Sequence, residues 1–116
     1  MIDFINIARP EAVGVHVHGK ITMDDYNKLT PVLAQKIEEY GKIPVLVKLG
    51  DIDTASAKSL YEGAKFDLKH INHFSKVAVV ADKQQYEWLV KMAQAFFPGE
   101  MRFFHTDDEA AAIAWL

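Results

Sequence analysis

Cysteine is absent from this chain of 116 residues. Disulfide bonds, thiolate metal sites and a cysteine nucleophile are therefore excluded. Glycine is scarce as well, because the 6 glycines stand singly along the sequence. The sequence contains no Walker loop, dinucleotide fingerprint or GxSxG elbow, so we expect neither a glycine-built phosphate cradle nor a hydrolase nucleophile.

Long apolar runs and concentrated basic charge are also missing. No run approaches the ~20 apolar residues that a membrane-spanning helix needs, and residues 1–14 lack the features of a signal peptide. The net charge is -3 and the lysines are scattered, whereas nucleic-acid binding requires a concentrated basic face. We therefore expect a soluble cytoplasmic protein with no integral membrane segment and no nucleic-acid partner.

Strand and helix signals alternate along the chain after an opening hairpin. Residues 2–8 and 13–18 predict two antiparallel strands joined by a short turn. The later elements are predicted in this order: a helix ending at Gly41, a strand at 43–47, a helix at 55–70, a strand at 77–81, a helix capped by Asp82 and ending near Phe97, a strand at 101–104, and a terminal helix opened by a capping box at 106–109.

The order β-β-α-β-α-β-α-β-α predicts an α/β sandwich as a single domain over residues 1–116. Its sheet is expected to be mixed and mostly parallel, with an N-terminal antiparallel hairpin. Thr22 and Asp25 resemble a capping box at the start of the first helix. Pro31 lies inside that helical pattern and is expected to kink the helix or to divide it.

A set of short sequence patterns extends in order along nearly the whole chain. They are Gly19-Lys20-Ile21-Thr22, Asp25-Tyr26, Leu29, Pro31, Gly41-Lys42-Ile43, Phe66-Asp67-Leu68-Lys69, His73, Val77-Ala78-Val79-Val80, Asp82, Trp88, Phe103-Phe104 and Ala114-Trp115-Leu116. In these patterns the chain resembles the SpoIIAA-like proteins, small bacterial domains that are also described as STAS/CRAL-TRIO-like.

This resemblance implies two functional types. Anti-sigma factor antagonists and transporter STAS domains are regulatory modules, and the antagonists are phosphorylated on a serine at the start of the second helix. CRAL-TRIO domains instead carry lipids or other hydrophobic molecules in a groove. Fold-level analogy alone does not choose between them.

The stretch LGDIDTASAKSL links the third predicted strand to the second predicted helix. The antagonists carry Asp-Ser-Ser/Thr-Gly at this turn, whereas here Asp53-Thr54 is followed by Ala55-Ser56. Helix capping explains these residue types without a kinase, while a phosphate at a helix N-terminus would change what docks there. The regulatory or docking residues predicted at this turn, residues 51–59, are Asp53, Thr54, Ser56 and Ser59.

A surplus of apolar residues marks the third predicted helix. Trp88, Met92 and Phe96 recur at four-residue spacing beside the main apolar stripe, and a helix on one side of a sheet needs only about a 100° apolar arc. These residues would form one wall of a groove between the second and third predicted helices. On the second predicted helix, Phe66 would form the opposite wall, and Tyr61 would offer a polar group near the groove mouth. The surplus fits a ligand groove, an extended core or a subunit contact.

Histidines and clustered acids are weak candidates for chemistry here. His16 and His18 share one strand face, which supplies half a metal site at best. Asp24-Asp25 and residues 107–109 open helices, where acids complement the dipole. We therefore expect no catalytic residues, no metal, no cofactor and no enzymatic activity.

The sequence thus predicts a domain that acts by binding. The first hypothesis is a carrier or sensor of a hydrophobic small molecule or lipid, held between the second and third predicted helices by Tyr61, Phe66, Trp88, Met92 and Phe96. The alternative is a protein–protein regulatory module that docks a partner through the turn at 51–59. A homodimer is plausible under either hypothesis, through the same apolar stripe or through an edge of the opening hairpin.

Overall fold

A computed structural model describes residues 1–53, 55, 73–82, 87, 90–91, 94–95 and 97–116 of the protein. The strands are β1 (Ile2–Ile5), β2 (Val13–Gly19), β3 (Ile43–Ile52), β4 (Phe74–Ala81) and β5 (Glu100–His105). The helices described with bounds are α1 (Met23–Tyr40) and α2 (Glu109–Trp115), and a short 3-10 helix (Thr106–Asp108) precedes α2.

The five strands form one sheet in the order β1-β2-β3-β4-β5. The pair β1–β2 is antiparallel, and the pairs β2–β3, β3–β4 and β4–β5 are parallel. The predicted α/β fold, with its opening hairpin and mostly parallel sheet, is confirmed. Of the connections between parallel strands, α1 and the segment that contains Val90 and Phe97 pack on the same face of the sheet, as right-handed crossovers between adjacent strands require.

Apolar side chains pack on both faces. On the first face, the partly buried Leu29, Val32 and Leu33 of α1 pack against a core that includes Val15 and Val45. On the second face, α2 packs against Leu46, which is 0% exposed, and against its neighbours in β4. Because α2 is short, it covers the second face near β3 and β4 and does not extend over β1 and β2.

Strands β1 and β3 differ in length from their predictions: β1 is shorter and β3 is longer. The ladder between β1 and β2 ends at the pair Ile5–Gly14, so β1 stops at Ile5 and does not extend over the predicted residues 6–8. In contrast, β3 continues beyond the predicted 43–47 to Ile52, which still pairs with Gly19 of β2. The predicted docking turn at 51–59 therefore begins later than expected, since Asp51 and Ile52 belong to the strand.

The predicted capping box at the start of α1 is present. The Thr22 side chain accepts a hydrogen bond from the Asp25 N–H, and the Asp25 carboxylate accepts one from the Thr22 N–H at 3.0 Å. The other carboxylate oxygen of Asp25 accepts a hydrogen bond from the Ile2 N–H at 3.2 Å. Asp25 therefore joins the start of α1 to β1.

Acid should weaken this joint. The hydrogen bond from the Thr22 backbone is the largest of several contacts that lower the pKa of Asp25 from 3.8 to about 2. Because the folded-state pKa is depressed, its stabilising contribution is complete above the unfolded value and is lost as pH falls through the folded one. We expect Asp25→Asn to be less stable than the wild type at pH 7, with the difference shrinking from pH 4 to pH 2 in urea unfolding. A difference that stays constant over this range would contradict the assignment.

Pro31 does not divide the first helix, because α1 runs continuously from Met23 to Tyr40. A proline removes one backbone donor and leaves the carbonyl four residues earlier, here that of Asn27, without its helical partner. Both Asn27 and Pro31 are exposed, so water can satisfy this carbonyl. One residue earlier, the Thr30 hydroxyl donates a hydrogen bond to the Tyr26 carbonyl at 3.2 Å.

The predicted capping box at 106–109 is wrong. The Nδ1 atom of His105 accepts a hydrogen bond from the Asp107 N–H at 3.2 Å and so caps the 3-10 helix. The α-helix begins only at Glu109, and Asp108 makes no side-chain capping bond to it. The side chain of the last β5 residue thus performs the role that the sequence pattern gave to Thr106.

Candidate functional site

Most of the predicted site lies outside the described residues. This is the case for all five residues predicted to bind a ligand and for three of the four predicted to dock a partner. They are Tyr61, Phe66, Trp88, Met92, Phe96, Thr54, Ser56 and Ser59. Among the predicted site residues, the structure describes Asp53.

Asp53 follows directly after β3, at the carboxyl edge of the parallel strands. Its N–H donates to the Gly19 carbonyl at 2.9 Å, and its Oδ1 accepts a hydrogen bond from the N–H of the helical Ala55 at 3.1 Å. This is the bond that an N-cap aspartate makes. The carboxylate of Asp53 therefore caps the helix start at this turn by accepting a backbone hydrogen bond.

Several residues of the third predicted helix are described, and they define its inner side. Glu87, Val90, Lys91 and Gln94 are helical. Val90 and Phe97 are buried in the core on the first face of the sheet, at 5% and 9% exposure. Lys91 is exposed and lies 3.6 Å from the Glu87 carboxylate. The side of this segment that contains Val90 is therefore the one that faces the sheet.

A polar cluster that the sequence did not predict lies on the second face of the sheet. The hairpin register pairs Asp3 with His16, and the parallel register pairs His16 with Lys48. The His18 Nε2 lies 2.8 Å from the Asp3 carboxylate, and the rings of His16 and His18 are 4.7 Å apart. The Lys48 ammonium lies 3.3 Å from the Glu109 carboxylate of α2.

Gly50 makes room for the two imidazole rings. A Cβ atom at this position would lie 3.1 Å from the Cβ of His18 and 3.3 Å from the Nε2 of His16. Burial, followed by the nearby His18 and Lys48, lowers the pKa of His16. The hydrogen bond to His18 lowers the pKa of Asp3. We therefore expect a neutral His16 beside an ionised Asp3 at pH 7.

This cluster has limited chemical scope. An imidazole that is held by a carboxylate can exchange a proton with a bound molecule. However, no group of three or more histidine, aspartate or glutamate side chains within the described part of the chain is placed to hold a metal ion. The register that brings Asp3 to the histidines depends on the connection at residues 6–12, and the sequence pattern does not fix that register.

A second concave surface lies between the open edge of β1 and helix α1. This surface, called the edge groove below, has a volume of about 480 Å³, and its lining includes Phe4 of β1, Asn6, Arg9 and Pro10 of the connection to β2, and Val32 and Lys36 of α1. Such a volume is within the range of small-molecule and peptide sites. The Lys36 ammonium donates a hydrogen bond to the Pro10 carbonyl at the far end of the groove.

No helix in the described part of the chain is long and apolar enough to cross a membrane. The described residues thus offer a capped helix start at Asp53, a polar cluster around His16 and the edge groove. The apolar groove predicted from the sequence involves residues outside the described part of the chain, so it stays a prediction.

Comparison with known proteins gives one consistent result. The sequence model of the SpoIIAA-like family matches residues 12–116. The chain is also similar to a solved structure of an uncharacterized protein from Shewanella loihica PV-4, which is assigned to the DUF3478 family with a SpoIIAA-like fold. The two share 27% sequence identity with a TM-score of 0.74, over 100% of this chain and 92% of the other. No curated protein matches the sequence. The chain belongs to the SpoIIAA-like family.

Proposed function

We propose that this protein is a cytoplasmic, non-enzymatic binding domain that carries or senses a hydrophobic small molecule or lipid. The ligand would lie between the second and third predicted helices. Phe66, Trp88, Met92 and Phe96 would form the apolar walls, and the Tyr61 hydroxyl would be a polar handle.

The burial of Val90 supports this proposal most directly. Val90 faces the sheet at 5% exposure, and successive residues of an α-helix are about 100° apart. By this spacing the predicted helix would place Trp88 and Met92 about 160° around from Val90, and Phe96 about 120° away. A predicted stripe at that angle would lie outside the contact with the sheet, and an apolar ligand is the partner that we propose for it.

Binding of a fluorescent fatty acid tests the proposal. We expect cis-parinaric acid to bind saturably to the wild type, and Trp88→Ala to weaken this binding at least tenfold because the indole is the largest apolar surface of the stripe. Tyr40→Ala is the matched control, since it removes an aromatic side chain that is 44% exposed at the end of α1. Equal affinity in all three proteins, or no saturable binding at all, would contradict the proposed ligand site.

The second candidate is a regulatory module that docks a protein partner through Asp53, Thr54, Ser56 and Ser59. The location of Asp53 at the carboxyl edge of a central parallel strand favours it, because ligands of open α/β sheets bind at that edge. Substitutions in the turn distinguish the two candidates. If the protein carries a fatty ligand, the double variant Ser56→Ala/Ser59→Ala should bind the fatty acid as tightly as the wild type. The fluorescence titration measures this affinity.

A further inference from the structure

Strand β1 is an edge strand whose outer side is open. Because the register pairs Asp3 with His16, and Met1 and His18 exchange backbone hydrogen bonds, Asp3 and Ile5 direct their backbone groups toward β2. The alternation of an antiparallel ladder then turns the N–H and C=O groups of Ile2 and Phe4 outward. No other strand in the described part of the chain pairs with β1.

One of these outward groups is already used. The Ile2 N–H donates to the Asp25 carboxylate at the start of α1, which closes one end of the edge. The Ile2 carbonyl and both backbone groups of Phe4 remain directed outward. Three successive backbone groups are enough to hold a short extended segment in register with β1.

The edge groove lies beside these groups. Phe4 is 41% exposed, which is unusual for a phenylalanine, and it faces α1 rather than the second face of the sheet. Val32 of α1 lines the same groove. An added strand would therefore place alternate side chains over Phe4 and Val32 in a groove of mixed polarity, and in strand addition such side-chain contacts give the specificity.

Two lysines of α1 flank this groove. The Lys28 ammonium lies 6.0 Å from the centroid of the Phe4 ring, and Lys36 reaches Pro10 beyond the end of β1. Within the described residues, neither lysine lies within ion-pair distance of a carboxylate. Their separation of eight residues corresponds to about 12 Å along a helix, and residues i and i+4 of a strand are separated by about 13 Å.

We propose that β1 binds an extended acidic segment of a partner protein by strand addition. The segment carries an acidic residue at position i near Lys28, an apolar residue at i+2 against Phe4 and Val32, and a second acidic residue at i+4 that passes the end of β1 and reaches Lys36. A second copy of this chain fits less well. Its β1 has Asp3 as its one charged residue, and two facing edges would bring the lysines of both copies together.

A fluorescein-labelled peptide with the sequence Thr-Glu-Thr-Val-Thr-Glu-Thr is the probe. We expect saturable binding by fluorescence anisotropy, and about tenfold weaker binding to the double variant Lys28→Glu/Lys36→Glu, because each exposed charge contact turns from attraction into repulsion. The matched control is Lys20→Glu/Lys42→Glu, which makes the same change in net charge at two exposed lysines away from the groove. A peptide with lysine in place of both glutamates should bind weakly.

The Phe4 backbone distinguishes strand addition from loose charge attraction. Hydrogen exchange of the Phe4 amide should slow when the peptide binds, because its N–H then donates to the added strand. Phe4→Pro removes this outward donor but no bond to β2, which an edge strand tolerates, and it should abolish peptide binding. Its circular dichroism spectrum and thermal unfolding verify that the domain is still folded.

Three results would overturn the proposal. The first is equal peptide affinity in the two double variants. The second is an unprotected Phe4 amide at saturating peptide. The third is a concentration-dependent dimer, measured by light scattering, that Phe4→Pro converts to monomer, because the edge would then be an interface between two copies.

Discussion

Leu46→Ala should lower the free energy of unfolding by about 3 kcal/mol. Leu46 is 0% exposed on the central strand β3, where it forms a buried cluster with Ala78 and Val80 of β4, Ala112 of α2 and the following Leu116. The cost combines the lost burial of the leucine with the cavity that the rigid sheet leaves behind. We expect the midpoint of thermal unfolding to fall by about 10 °C or more.

Urea unfolding of the variant at constant pH measures this loss. The control is Leu46→Met, which keeps most of the side-chain volume and should cost less than about 1.5 kcal/mol. If the alanine and methionine variants are equally stable, α2 does not pack on β3 as described.

Gly99→Ala should be the second strongly destabilising change, by about 2 kcal/mol. A Cβ atom on Gly99 would lie 2.7 Å from the carbonyl oxygen of Phe74 and 2.8 Å from that of Ser75. Both atoms belong to the backbone at the start of β4, so the clash requires a shift of a strand or of the segment entering β5. Overpacking that moves backbone costs more than overpacking that moves one side chain.

Gly50→Ala is the graded comparison for Gly99→Ala. Its closest new contacts are the Cβ of His18 and the Nε2 of His16, at 3.1 and 3.3 Å, and a shift of a few tenths of an ångström relieves each of them. We therefore expect a smaller loss of stability in urea unfolding than for Gly99→Ala. The reverse order would show that β5 tolerates the displacement and that the histidine cluster does not.

Local signals in the sequence correctly predicted the elements whose causes are local. The capping box at Thr22 and Asp25, the glycine stop after Tyr40 and the alternation of His16 and His18 with valines all involve neighbouring residues. The length of β3 was underestimated because Lys48 and Gly50 break its apolar run. The ladder with β2 nevertheless continues past both residues, since backbone pairing does not require an apolar side chain, and the Lys48 ammonium pairs with the Glu109 carboxylate of α2 on the second face.

Contacts between distant residues could not be read from the sequence in the same way. Asp3 reaches His18 only through the hairpin register, and the edge groove combines residues of β1 with Val32 and Lys36 of α1. A register shift of one residue would move every side chain of β1 to the other face. The apolar stripe of the third predicted helix stays a prediction, which depends only on a spacing that repeats within one helical segment.

Native mass spectrometry of the purified protein, repeated after organic extraction and with Trp88→Ala, tests the proposed function most directly. We predict a non-covalent adduct of lipid mass that organic solvent removes and that the variant does not retain, while Tyr40→Ala retains it. A bare protein whose dimer splits on Trp88→Ala would contradict the carrier function. The apolar stripe would then be a subunit interface, and the regulatory module would become the better account of this domain.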